Sequence, residues 1–316
     1  MERNMHTDAP ARVVVLAPSP VLTVTVERRG RSADEVHLHA GGQGVWVARM
    51  AALLGAEVTL CAALGGESGI VLAELIRRQG PVLRTIAATS ANGAYVHDRR
   101  GGSREPIAQV RSPALKRHEV DELYGAMTAA ALTSDVAVLT GTEEGVLPAD
   151  VYRRLAADLR RNEVAVIADL TGEALDGALE GGLDLLKLSQ DELAEITSGT
   201  LDSVSRLAAA IRTLQGRGAE NVVISRAREP ALASIEGSLF ELRGPIFEPL
   251  DHHGAGDSMV AALAVGTARR LDLPSVLRLA VAAGALNVTR HGLGSGQRDD
   301  IERLAAAVDV RRIDDS

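Results

Sequence analysis

Short runs of β-branched residues alternate along this chain with longer stretches whose apolar positions recur every three to four residues. The runs at 13–16, 58–63, 135–139, 164–168, 185–188 and 222–225 read as strands. The stretches at 45–54, 70–79, 149–162, 191–197 and 201–215 read as helices, and Gly55 is placed to cap the first of them. From 258 to 308 the pattern is mostly helical. Repeated strand–helix–strand units of this kind predict a mainly parallel sheet with helices on both faces.

Two regions break the rhythm. Residues 23–39 alternate in β fashion, and 91–110 fold about a turn at Asp98-Arg99-Arg100-Gly101-Gly102. Neither has a helix to cover it. Together they predict a small sheet, with segments at about 20–40 and 90–112, projecting as a lid from one domain spanning 11–316. Surface decoration is the plainer alternative. Residues 1–10 read as a disordered leader.

Composition changes this picture in three ways. Only 2% of the residues are aromatic, so Ala, Val and Leu must fill the core, and Trp46, the sole tryptophan, stands out. A net charge of −8 argues against a general nucleic-acid binder, which needs a basic face, but leaves room for a nucleotide ligand. The lone Cys61 cannot form an internal disulfide and sits in an apolar run, which fits a reducing cytoplasm. No apolar stretch approaches bilayer length, and Pro18 and Pro20 interrupt the apolar segment 13–26, so neither a membrane span nor a secretory signal is expected.

The chemistry concentrates in Asp251-His252-His253-Gly254-Ala255-Gly256-Asp257-Ser258, a small-residue turn that opens into an apolar helical run. Glycines let backbone N–H groups crowd onto an anion, and a helix N-terminus adds a favourable dipole. A carboxylate aimed at such a site is costly unless it works, and proton abstraction by Asp257 is the evident work. Alone, the segment also fits a plain glycine-rich turn. Ala40-Gly41-Gly42-Gln43-Gly44 leads into a helix and fits either close ligand approach or a tight loop; Gly65-Gly66-Glu67-Ser68-Gly69 repeats the device.

Thr140-Gly141-Thr142 ends a strand, where ligand-facing loops of parallel sheets lie. Lys187-Leu188-Ser189-Gln190-Asp191-Glu192 ends another. Glu192 either orients a metal-bound water or is an ordinary first-turn glutamate. His37 and His39 lack a third ligand and read as sheet-surface histidines. Gly292-Leu293-Gly294-Ser295-Gly296 follows a helix and is no dinucleotide fingerprint. Arg99, Arg100 and Arg104 form either a solvated turn or a grip on a substrate phosphate.

In chain order these pieces resemble the ribokinase-like sugar kinases of the phosphofructokinase-B family. The segment Gly41 to Gly44 with Gly65, Gly66 and Gly69 is similar to the family's first signature, and 251–258 to its second. Residues 169–175 and 188–193 resemble the 1-phosphofructokinase and tagatose-6-phosphate kinase branch. The resemblance implies a three-layer α/β/α domain with a β lid, ATP with Mg²⁺, and transfer of the γ-phosphoryl group to a sugar or sugar-phosphate hydroxyl. By position it implies Asp257 as general base, with the backbone of Gly254, Ala255 and Gly256 completing the anion hole. It implies Gly41, Gly42, Gln43, Trp46, Val21 and Thr142 on the acceptor, and Ser225, Ala227, Arg228 and Asn287 with the turn glycines on the nucleotide. Glu192 would reach the metal through water. A homodimer through the lid is a further expectation.

The departures from the family pattern are equally specific. Val21 replaces an aspartate and Trp46 an asparagine, both of which bind sugar hydroxyls in the family. Gln43 stands where a lysine is common in the phosphosugar branch. Ser189 replaces an asparagine, and the nucleotide loop, Ser225 to Pro230, has lost its glycines. The phosphoryl end is therefore expected to be intact and the acceptor end altered, with an acceptor other than the branch's usual phosphosugar. The alternatives are a nucleoside or other non-sugar kinase of the same fold, and a catalytically weak nucleotide or metabolite sensor.

Overall fold

Strand β1 (Arg12–Ala17) is buried from Val13 onward. A strand apolar on both sides must be covered on both faces, and its residues divide accordingly. Val14 and Leu16 join one hydrophobic core, while Val13, Val15 and Ala17 join a second on the opposite face. The computed structural model describes residues 10–30, 33–141, 145–197, 199–248, 253–289 and 296–313.

After β1 come β2 (Val21–Arg29), β3 (Ala33–Gly41), α1 (Gln43–Leu53), β4 (Glu57–Leu64), α2 (Gly66–Arg77), β5 (Val82–Ala87), β6 (Ala94–Asp98) and β7 (Glu105–Val110). The middle of the chain holds α3 (Arg117–Ala131), β8 (Val136–Thr140), α4 (Ala149–Arg161), β9 (Ala165–Asp169), α5 (Gly172–Gly181), β10 (Leu183–Ser189), α6 (Gln190–Thr197) and α7 (Val204–Gly216). It finishes with β11 (Ala219–Arg226), β12 (Glu229–Ile235), β13 (Ser238–Arg243), α8 (Ala255–Ala268), α9 (Leu273–Asn287), α10 (Arg298–Ala305) and β14 (Asp309–Ile313).

The large sheet has the order β14-β13-β12-β11-β10-β9-β8-β1-β4-β5. It is parallel from β11 to β5 and antiparallel from β11 to β14. Helices α3, α4, α5 and α7 bury Leu123, Leu155, Leu175 and Ile211 in the first core. Helices α1, α2, α8 and α9 bury Met50, Leu72, Leu263 and Leu277 in the second. The expected three layers are therefore present. The antiparallel extension, β5, α3 and α5 were not anticipated. Helix α7 begins at Val204 rather than 201, because the Ser203 hydroxyl accepts the Arg206 N–H at 3.3 Å and fixes the start there.

A separate four-stranded sheet, β3-β2-β6-β7, forms the lid. Two antiparallel hairpins join through parallel pairing of β2 with β6. Register places Thr23, Thr25, His37, His39, Tyr95 and His97 on one face, and Leu22, Val24, Val36, Leu38, Val96 and Val110 on the other. Thr23 and the Trp46 ring both crowd the position where Gly41 lacks a side chain, so the Thr23 face turns towards the main domain. Asn92 anchors the lid root: its oxygen accepts the Gly65 N–H, and its amide donates to the carbonyls of Pro20 and Ala63.

Candidate active site

Chains leave β1 and β8 towards opposite ends of the sheet, and crevices at such switch points are where open α/β sheets bind ligands. Gly42, with φ 102°, starts α1 at this crevice. A Cβ on Gly44 would fall 2.7 Å from Ala17 Cβ and 2.8 Å from Thr140 Oγ1, so only glycine lets α1 press onto both strand ends. The Gln43 side chain is committed. Its oxygen accepts the Gly141 N–H at 3.3 Å.

Opposite stands α8, capped by Gly254 in the left-handed conformation at φ 79°. The N–H groups of its first turn that have no intrahelical partner belong to Ala255, Gly256 and Asp257. A Cβ on Gly256 would lie 2.4 Å from Lys187 Nζ, so the ammonium rests directly against this turn. Lys187 is only 4% exposed, and its Nζ meets Asp169 at 3.4 Å. The cradle thus combines helix N–H groups, a buried cation and an absent side chain, a donor set suited to a phosphoryl group.

Asp257 is 8% exposed. Burial first and the Asp169 charge second push its carboxyl up to about 8, against the pull of Lys187. Burial also pushes Asp169 up, while Lys187 is driven up because Asp169, Glu192 and Asp257 outweigh its own desolvation. Asp169 and Lys187 are in direct contact and form a charged pair, and we place the retained proton on Asp257, which has no ion-pair partner among the described residues. One ammonium cannot balance three carboxylates in a dry site.

Val21 is 3% exposed at the root of β2, packed rather than open to a ligand. Asn287, 1% exposed, donates to the His253 carbonyl and so helps fix the turn ahead of α8. Glu192 Oε2 accepts the Ser189 N–H at 2.6 Å while the Ser189 hydroxyl accepts the Glu192 N–H, closing the first turn of α6. Ser225 lies within β11, where its hydroxyl donates to the Leu188 carbonyl at 3.4 Å, and Ala227 and Arg228 form the bend between β11 and β12. Ala227 keeps a glycine-like φ of 48° there, and Arg228 is exposed.

Trp46 is half-buried beside Gly41. The Gly65 cluster seals the lid hinge, because a Cβ on Gly65 would strike the Ser90 carbonyl. Arg100 is held by Asp98 and Asp34, and Arg99 lies near Glu27, so these two arginines belong to a self-paired turn. His37 and His39 stack at 6.1 Å on the lid. Thr142, Asp251, His252 and residues 292–295 lie outside the described residues.

Sequence reasoning missed Asp169 and Lys187 as site residues. The available signal was Lys187 itself, a lone charge inside the buried run Leu185-Leu186-Lys187-Leu188. Among the described residues no group of three or more His, Cys, Asp and Glu is arranged to hold a metal, and no helix is long and apolar enough to cross a membrane.

Fold and crevice together define a phosphotransferase of the ribokinase-like class. The pfkB family carbohydrate kinase profile matches residues 21–300, and the chain belongs to that family. It is 30% identical over 302 residues to ATP-dependent 6-phosphofructokinase isozyme 2 of Mycobacterium tuberculosis, covering 93% of this chain and 88% of the relative. It is 29% identical to 1-phosphofructokinase of Vibrio cholerae over 95% of this chain and 96% of the relative. The crystal structure of phosphofructokinase-2 from Escherichia coli in complex with potassium superposes with a TM-score of 0.81 at 24% identity, covering 94% of this chain and 98% of that one.

Proposed function

We propose that this carbohydrate kinase uses Asp257 to deprotonate an acceptor hydroxyl as that oxygen attacks the γ-phosphorus of ATP. The observation that carries the reading is a buried carboxyl on the first turn of α8, beside N–H groups and an ammonium gathered at one point. The new O–P bond forms as the bond from the γ-phosphorus to the β–γ bridging oxygen breaks. ADP leaves with that electron pair, and the hydroxyl proton stays on Asp257. The N–H groups of Ala255, Gly256 and Asp257 and the Lys187 ammonium face the charge on the transferring phosphoryl group. Mg²⁺ bound to the phosphates would neutralise their charge, with Glu192 as its water-mediated neighbour.

The acceptor is proposed to be something other than fructose or tagatose phosphate. Where the family pattern has hydroxyl-binding aspartate and asparagine, this chain buries Val21 and sets Trp46 at the crevice. Losing two such hydrogen bonds forfeits roughly 0.5–1.5 kcal/mol each, and more for the charged one. Trp46 offers a flat apolar face for stacking on a ring instead. A second copy of the chain is proposed to cover the apolar lid face, where Val36, Leu38 and Val110 are 60%, 46% and 59% exposed.

The test is ATP-dependent depletion of a metabolite mixture containing sugars, sugar phosphates and nucleosides, with product masses read out. The expected outcome is one phosphorylated product outside the phosphosugars. Efficient turnover of fructose 1-phosphate, fructose 6-phosphate or tagatose 6-phosphate would refute the acceptor proposal. ATP binding without any product would favour a sensor.

A further inference from the structure

We propose that Tyr152 is a positioning residue whose buried hydroxyl sets the Thr140-Gly141 corner, where β8 ends on the side of the crevice proposed for the acceptor. It rests on the kinase reading above. Tyr152 lies in the first turn of α4, is 3% exposed and belongs to the first core with Val151, Leu155 and Leu170. A phenol buried among apolar side chains needs a hydrogen-bond partner for its O–H. The one it finds is the carbonyl of Thr140, the last residue of β8, at 3.3 Å. Burial pushes the ionisation of the phenol upward, so its hydroxyl stays a donor at neutral pH.

Other contacts fix the same corner from the far side. The Thr140 hydroxyl donates to the Leu16 carbonyl at 2.7 Å, and the Gly141 N–H donates to Gln43 at 3.3 Å. Gln43 comes from the α1 layer and Tyr152 from the α4 layer, so the corner is clamped between the two helical layers. The clamp is tight. A Cβ on Gly141 would lie 2.5 Å from the Tyr152 hydroxyl oxygen, whereas the next atoms, Leu170 Cδ2 and Tyr152 Cζ, stand at 3.3 Å. The ring fills the core as a phenylalanine would, and the hydroxyl alone reaches the corner. That oxygen both bonds the Thr140 carbonyl and denies residue 141 a side chain. A corner released from it presents the following loop out of register with the acceptor, and an ångström of misplacement is enough to weaken a reacting geometry strongly.

Two substitutions, alone and together, test the clamp. Tyr152→Phe removes the hydroxyl and keeps the ring. With the acceptor found in the screen, it is expected to raise the acceptor KM roughly three- to tenfold, the loss of about one hydrogen bond, and to leave kcat and the KM for ATP close to wild type. Gly141→Ala should do more damage, lowering kcat/KM for the acceptor by roughly tenfold or more. Adding Tyr152→Phe to it should restore part of that loss, because the nearest contact of the new methyl opens from 2.5 to 3.3 Å. Two unrelated defects would add instead. Amide hydrogen exchange gives a readout without turnover: Gly141 should exchange faster in Tyr152→Phe, while Val138 inside β8 keeps its wild-type rate. A wild-type acceptor KM in Tyr152→Phe, or additive losses in the double variant, would overturn the proposal. A wild-type protein that binds ATP but makes no product would instead overturn the kinase reading. Exchange at Gly141 then decides the role of Tyr152, an unchanged rate counting against it and a faster rate confined to the corner upholding it.

Discussion

The two sides of the crevice are built on opposite principles. On the side proposed for the phosphoryl group, Lys187 and Asp257 are buried, charged or titratable, and the Lys187 ammonium rests against the turn at Gly256. On the side proposed for the acceptor, Val21 is sealed into the fold, Gln43 accepts the Gly141 N–H, and Trp46 offers an apolar ring. A step common to all acceptors needs fixed electrostatics, whereas recognition needs surface that varies. The contrast predicts that substitutions will hurt chemistry on one side and selectivity on the other.

The largest effect is expected at Asp257. Replacement by asparagine removes the proposed base and should lower kcat by about 10²–10⁴-fold. The same change should stabilise the unliganded protein at alkaline pH. With its folded value raised from 3.8 to about 8, the Asp257 carboxyl favours folding fully below about pH 4 and progressively less up to about 8. Thermal denaturation from pH 5 to 9 should therefore show Tm falling more steeply in wild type than in Asp257→Asn. In wild type, kcat/KM should rise with pH up to about 8 as the base ionises. Parallel Tm curves would show that the carboxyl is not held in an unfavourable ionisation state.

Lys187 sharpens the same side from the opposite charge. Lys187→Met leaves Asp169 buried without its ammonium, and breaking such a pair costs about 3–5 kcal/mol. Chemical denaturation should register that loss. Activity should fall as well, because the cradle loses its cation. A variant with wild-type stability would mean that Asp169 is already neutral.

How much of this was legible in the sequence depended on how local each signal was. The central strands were readable because burial on both faces demands unbroken β-branched runs such as Val13-Val14-Val15. Edge strand β5 was not, since its exposed positions interrupt the apolar run with Arg84 and Thr85. The turn at 254–257 announced itself through glycines beside a carboxylate. The Asp169–Lys187 pair did not, because its partners lie 18 residues apart and meet only through the register that sets Leu186 beside Ala168. The expected roles of Val21 and Asn287 rested on position in a pattern, whereas the burial of Val21 and the Asn287 bond to the His253 carbonyl emerge only once the chain is folded.

The smallest effect on chemistry is expected at the lid, where the comparison can be broken without touching the cradle. Val36 and Leu38 lie on the lid face opposite Thr23, and both are largely exposed. Leu38→Lys places a charge in that apolar face, which a second copy could bury only at a desolvation cost. Light scattering after size exclusion should report a dimer for wild type and a monomer for Leu38→Lys. The monomer should keep its affinity for ATP, because every cradle residue lies on the main domain. Its KM for the acceptor should rise, because a lid without its partner holds the Thr23 and His39 face less firmly over the crevice. A wild-type monomer would leave the apolar lid face for some other occupant. A Leu38→Lys variant that lost ATP affinity would show that the two sides are not separable.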